Sequence, residues 1–201
     1  MIIQLRGTSG SGKTYTARSF MECYAPDIQI CDIGGKTVAH CVYWEMQPVY
    51  LLGSYKNVCG GCDSISSQDM VCSLVRHFSQ FGHVIFEGLI MSHLYARYAA
   101  LADELSEAGD AFTFAFMDTP LELCLERIVQ RRIAKGNYKE LNPDNTIGKY
   151  ESTHAVAEKL RKAGYNVVWI NHKKTSVTQL IGLLHKDNIP FEQSYREESF
   201  R

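Results

Sequence analysis

One stretch constrains this chain before anything else does: Gly7-Thr8-Ser9-Gly10-Ser11-Gly12-Lys13-Thr14. A short apolar run, Ile2-Ile3-Gln4-Leu5, precedes it and reads as a buried strand, while residues 15–21 space their apolar groups as a helix does. Strand, GxxxxGK[ST] and helix in that order make a phosphate-binding P-loop (Walker A), with every fixed position filled. The glycines let the main chain wrap an anion closely, because a Cβ would block both the approach and the positive φ angles. The amides of residues 7–14 then point inward at a helix N-terminus, where the dipole also favours negative charge. The spacing places Lys13 at the β- and γ-phosphates of a nucleoside triphosphate and offers the Thr14 hydroxyl to Mg²⁺.

The 201 residues fit one domain, 1–201, large enough for a three-layer core without disulfides. The formal net charge of −1 says more than the composition does, since a protein that grips duplex nucleic acid through many phosphates carries a basic excess. Tight non-specific binding is therefore not expected, although a local basic patch could still hold a polynucleotide. No apolar run reaches bilayer length and Met1 leads straight into the first strand, so the expectation is a cytoplasmic protein with no membrane association. Cys31, Cys41, Cys72 and Cys124 sit in apolar segments, as reduced core thiols do.

Along the chain, 28–31 reads as a short strand, and 38–43 and 49–52 as β segments flanking Glu45-Met46-Gln47-Pro48. That is a β-hairpin inserted before the second main strand. Its Tyr43, Trp44 and Tyr50 either pack across strands or offer a base something to stack on. Cys59-Gly60-Gly61-Cys62 lacks the second ligand pair that zinc needs, so it reads as a tight turn before a helix over 68–81. Asp63 then either caps that helix or accepts the proton of a substrate hydroxyl at the mouth of the site. Residues 84–88, Val-Ile-Phe-Glu-Gly, read as a central parallel strand whose Glu87 emerges at the carboxyl end, where open α/β sheets bind ligands. A buried carboxylate needs a partner. The functional reading, a water-mediated hold on Mg²⁺, is preferred to an ion pair with a nearby Lys or Arg.

A helix over 90–106, a strand over 112–117, a helix over 121–132, another over 150–163, a strand over 167–171 and a last helix over 178–185 complete the pattern. Arg127 and Arg131 share one helix face four residues apart, with Arg132 beside them, and run into Lys135-Gly136-Asn137-Tyr138-Lys139. Such a cluster suits a phosphate-closing lid over about 127–149; the bland account is a solvated face paired with Glu122 and Glu126. His172-Lys173-Lys174 falls near where an adenine edge would rest, and the tail over about 190–201 is polar. The whole is an α/β chain of the three-layer P-loop NTPase class, with a doubly wound, mostly parallel sheet. Lys13, the arginines 127 and 131 and Mg²⁺ would neutralise the transferring phosphoryl of ATP, while Asp63 or Glu87 takes the acceptor proton.

The segment from Met117-Asp118-Thr119-Pro120-Leu121 to Arg131-Arg132 resembles the strand-to-lid passage of nucleoside and nucleotide kinases. Leu52-Gly53-Ser54-Tyr55, Cys59-Gly60-Gly61-Cys62-Asp63-Ser64-Ile65 and His83-Val84-Ile85-Phe86-Glu87-Gly88 resemble, more narrowly, the bacteriophage 5-hydroxymethyluracil DNA kinases. That resemblance implies ATP-dependent phosphorylation of the base hydroxymethyl group in phage DNA, a step of thymidine hypermodification, with Asp63 and the aromatic hairpin serving an extruded base. Three other readings stay open: a deoxynucleoside monophosphate kinase drawing on Arg76, Arg97 and Arg127 for the acceptor phosphate, a polynucleotide 5′-hydroxyl kinase, and a nucleotide-dependent binding module that transfers nothing.

Overall fold

The computed structural model describes residues 1–56 and 60–185. Five parallel strands carry the site: β1 (Ile2–Arg6), β4 (Gln47–Leu52), β5 (His83–Glu87), β6 (Phe112–Asp118) and β7 (Val167–Asn171). Two antiparallel strands, β2 (Gln29–Ile33) and β3 (Lys36–Trp44), extend one edge, giving the order β2-β3-β4-β5-β1-β6-β7. The inserted hairpin thus belongs to a three-strand meander, β3 pairing with both β2 and β4. Its turns are tight, and both central residues of each have positive φ: Gly34 and Gly35 in one, Glu45 and Met46 in the other. That is the turn sense whose twist matches the flanking strands.

β1 lies between β5 and β6, so its side chains are buried on both faces; Ile2, Ile3 and Leu5 are all fully inaccessible. Helices α1 (Lys13–Cys23) and α6 (Ser176–His185) cover one face through Ala17, Phe20, Leu180 and Leu184 against Ile3, Leu5 and Ile85. Helices α2 (Gln68–Ser79), α3 (Ala96–Glu107) and α5 (Asp144–Lys162) cover the other through Val71, Val75, Leu101, Leu105, Val156 and Leu160. The result is the expected three-layer, mostly parallel α/β fold. After β5 the chain crosses β1 to reach β6, and that reversal opens a crevice at the carboxyl ends of the strands. Helix α4 (Leu121–Ile133), entered through Pro120, stands at the edge of this crevice.

Two sequence expectations change, and one open alternative is decided in favour of packing. The helix over 90–106 is interrupted: Ile90–His93 is a short 3-10 turn, Leu94 is extended, and α3 starts only at Ala96. Tertiary bonds outweigh the helical pattern there. Ser92 Oγ accepts the Gly7 N–H (3.1 Å) and donates to Gly88 O (2.8 Å), while Arg6 Nη1 donates to Leu94 O (2.9 Å). Helix α5 begins at Asp144, six residues before the expected start, so part of the span read as a lid is regular helix. The hairpin aromatics stay away from the crevice. Trp44 is buried against His83 and His185, and Tyr50 stacks on Phe78 at 4.6 Å. The register Val49↔His83 puts the β3–β4 turn at the amino end of β5, opposite the P-loop, so these rings serve packing.

Arg6 was not singled out by the sequence. It is fully buried beneath the P-loop, its guanidinium near the rings of Tyr98, Phe114 and Phe116 and its Nε donating to Gln4 Oε1 at 2.8 Å. Burial pushes its pKa down to about 9, which leaves it charged at neutral pH.

Candidate active site

Side chains take up the P-loop carbonyls and leave several of its amides free. Lys13 Nζ donates to Gly7 O (2.7 Å) and Thr8 O (3.2 Å), Thr119 Oγ1 to Ser11 O (2.8 Å), and Arg127 Nη1 to Gly10 O (3.2 Å). The N–H groups of Gly10, Gly12, Lys13 and Thr14 have no acceptor among the described residues. Helix α1 has no side-chain cap: Gly12, at φ +103°, supplies the left-handed turn into it. Free amides at a helix N-terminus, with Thr8 Oγ1 and Ser11 Oγ buried and unpartnered beside them, make a concave anion site. Gly10 is obligatory, because a Cβ there would lie 2.3 Å from Cys124 O of α4.

This loop floors a cleft of about 550 Å³ lined by Thr8, Ser9, Lys13, Thr14, Tyr15, Asp63, Glu87, Leu89, Arg127 and Arg131. The fold therefore brings together every residue expected to act in catalysis: Lys13, Asp63, Glu87, Arg127 and Arg131. Glu87 is 1% exposed, and its Oε1 accepts the Thr14 hydroxyl at 2.8 Å. Desolvation raises its pKa above the ordinary carboxylate value, with Lys13 and the Thr14 hydrogen bond pulling back. Burial lowers the Lys13 pKa, countered by Glu87 and Asp63. Among the described residues the Glu87 carboxylate is hydrogen-bonded to Thr14, and Lys13 acts on it through its charge. Asp63, by contrast, is exposed, and both its oxygens accept the Leu89 N–H (2.9 and 3.1 Å). It does not cap α2; Ser67 does, accepting from Met70 N at 3.1 Å.

The turn before Asp63 is shaped to hold Glu87. Gly61 has φ +70° and ψ −148°, a region open to glycine alone, and a Cβ on it would lie 2.6 Å from Glu87 Oε1. Gly61→Ala is expected to cost about 2–3 kcal/mol in stability and to displace the carboxylate. Urea unfolding would check the first effect and loss of turnover the second. Of the Cys-x-x-Cys pair, Cys59 lies outside the described residues. The Cys62 thiol is buried, and burial drives its pKa well above the usual thiol range. Among the described residues no group of three or more His, Cys, Asp and Glu side chains could hold a metal ion. That leaves one Thr hydroxyl and one carboxylate, which fits Mg²⁺, a metal bound through few protein oxygens plus substrate phosphates.

A second hollow of about 270 Å³ adjoins the first across Gly12, Tyr15 and Arg127. The β7–α6 connection lines it with His172, Lys174, Thr175, Ser176 and Val177, together with Thr119 and Met117. Of these, reading the sequence had pointed only to the 172–174 segment. Thr119 and Ser176 were missed, although each stands at a strand-to-helix junction on the carboxyl side, where such lining residues are to be sought. The rival cations are engaged elsewhere: Arg76 donates to both carboxylate oxygens of Glu104 (2.6 and 2.7 Å), and Arg97 pairs with Asp69. No described helix is long and apolar enough to cross a membrane.

Comparison with known proteins agrees with this geometry. A 5-hmdU DNA kinase of Pseudomonas phage PaMx11 is 37% identical over 174 residues, covering 83% of this chain and 88% of its own. Another, of Pseudomonas phage M6, is 29% identical over 177 residues, covering 82% and 88%. A solved deoxyadenosine kinase from M. mycoides with bound dATP aligns over 94% of this chain and all of its own, at 11% identity and a TM-score of 0.43, too distant for its ligand to bear on this site. The family model for 5-hmdU DNA kinase matches residues 1–174, and the chain is a kinase belonging to that family.

Proposed function

We propose that this enzyme transfers the γ-phosphoryl group of ATP to the hydroxymethyl oxygen of 5-hydroxymethyluracil in phage DNA, acting in the host cytoplasm. The observation that carries the reading, beside family membership, is the pairing of two unlike carboxylates across one phosphate cleft. Glu87 is buried on the Thr14 hydroxyl and Asp63 is open to the acceptor side. Of the three arginines that a nucleoside monophosphate kinase would draw on, Arg76 and Arg97 are each paired with a carboxylate, Glu104 and Asp69. That favours a neutral alcohol over a nucleoside monophosphate.

In this reading the amides of residues 7–14 and Lys13 hold the triphosphate, and the adjoining hollow takes the adenine between Arg127 and the β7–α6 connection. Thr14, with Glu87 behind it, would hold Mg²⁺, which when bound neutralises charge on the phosphates. Arg127 and Arg131 cover the γ-phosphoryl from α4, so that the lid function falls to the cleft-lining start of the 127–149 span. Asp63, held in place by Leu89 N–H, orients the acceptor hydroxyl in line and accepts its proton as the O–P bond forms and ADP leaves.

The test is an acceptor panel with γ-labelled ATP: 5-hydroxymethyluracil-containing DNA, ordinary DNA with 5′-hydroxyl ends, and free deoxynucleoside monophosphates. Label is expected only in the first. Label confined to free nucleotides would overturn the reading, label at DNA ends would favour the polynucleotide kinase, and no labelled product with any acceptor would favour a binding module.

A further inference from the structure

A near-neutral chain that acts on a polymer needs a local grip, and the structure contains one surface suited to it. The span 127–149 holds six cationic side chains (Arg127, Arg131, Arg132, Lys135, Lys139, Lys149) and two anionic ones, Glu140 and Asp144, in a chain whose formal charge is −1. The bland account, an ion-paired helix face, does not hold. Glu126 accepts from Gln130 at 2.9 Å, and none of Arg131, Arg132, Lys135 and Lys139 is ion-paired among the described residues. The arginines of α2, α3 and α5 behave differently, with Arg76, Arg97 and Arg161 each meeting a carboxylate.

The charges also divide in space. Arg127 and Arg131 line the phosphate cleft, whereas Arg132, Lys135 and Lys139 line neither hollow. Helix α4 carries them outward from the rim, and every residue from Ile133 to Glu140 is exposed. Among them stands Tyr138, 78% exposed, a large aromatic ring that pairs with no other ring among the described residues. Unpaired cations interleaved with an exposed aromatic are the elements of a single-strand surface, in which cations follow the phosphates and rings stack on bases.

We infer that the α4–α5 connection is the DNA grip: Arg132, Lys135 and Lys139 hold phosphates of the unpaired strand flanking the acceptor base, and Tyr138 stacks on a neighbouring base. This rests on the proposed DNA acceptor. It gives the enzyme its preference for a polymer over a mononucleotide without a basic protein overall, because the cost of binding is met at one rim of the cleft.

Two variants test it, Tyr138→Ala and the triple Arg132→Ser/Lys135→Ser/Lys139→Ser. The first readout is fluorescence anisotropy of a labelled single-stranded 20-mer containing 5-hydroxymethyluracil, across a salt series. The second is transfer to that 20-mer and to the free nucleoside. For the triple variant the 20-mer is expected to bind at least about tenfold more weakly, with a log–log salt slope reduced by about 2, near 0.7 per lost phosphate contact. Tyr138→Ala should weaken binding about 5- to 100-fold with an unchanged slope, and Tyr138→Phe should restore it. KM for ATP and turnover of the free nucleoside should not move. Unchanged binding and slope in the triple variant would overturn the inference, as would a defect confined to KM for ATP, which would mark the segment as part of the nucleotide lid. Wild-type protein that binds the 20-mer through this surface but labels only free nucleotides would instead refute the proposed acceptor, so the two failures are distinguishable.

Discussion

Lys13→Ala is expected to lower kcat by about 10³-fold or more while leaving the fold intact. Lys13 is 7% exposed and its ammonium group is bonded to Gly7 O and Thr8 O, so it is held at the anion site in advance of the ligand. A preorganised charge in a desolvated cleft acts on the transferring phosphoryl without reorganisation, and removing one such donor typically costs about 10²–10³ in rate. Here the removed group is a full charge. Water entering the cleft can replace the lost donor at these two carbonyls, so the expected loss of stability is about 1 kcal/mol. The measurements are steady-state turnover and thermal unfolding with and without ATP and Mg²⁺. Wild type should gain Tm on adding nucleotide, and the variant should gain less. Lys13→Arg should not rescue, because a planar fork cannot take the place of a compact ammonium. Turnover within tenfold of wild type would refute the role.

Glu87→Gln should lower kcat by about 10²–10³-fold and yet leave the ligand-free protein at least as stable at neutral pH. The second half follows from the sign of the shift. Desolvation raises the folded-state pKa of Glu87 above its ordinary value, so the ionised form is penalised in the folded protein. Below the unfolded pKa the carboxyl is protonated in both states and the penalty is absent. It grows as pH rises through the folded pKa and is fully present above it. Gln keeps an oxygen for the Thr14 hydroxyl and carries no charge. Its stability relative to wild type should therefore increase from acid to neutral pH. The acid limb that Glu87 contributes to kcat/KM, lying above the ordinary carboxylate value, should vanish in the variant. A variant that loses stability and activity in parallel would make Glu87 a structural residue only.

Legibility differed sharply between parts of the chain. The P-loop could be read residue by residue because each position is dictated locally: glycine where φ is positive, Lys13 and Thr14 at a fixed distance along one helix turn. Glu87 was readable because a strand that ends at the crevice must deliver its last side chain there. The β3–β4 turn showed as a break between strands, but not as a two-residue turn, because Glu45 and Met46 adopt positive φ where the sequence offers no glycine. The interruption at Leu94 was not readable, because the bonds that break the helix come from Arg6 and Gly7, more than eighty residues away.

By itself the sequence determined the class of chemistry, since a phosphate cradle is built from consecutive residues and its geometry travels with its spelling. Tertiary structure alone decided which side chains share that cradle. It brought Asp63 to the Leu89 amide and sent Trp44 and Tyr50 to the far end of the sheet. It also left Arg132, Lys135 and Lys139 without ion-pair partners among the described residues, because pairing between distant segments depends on register and layer order, and neither is written in any local run of residues.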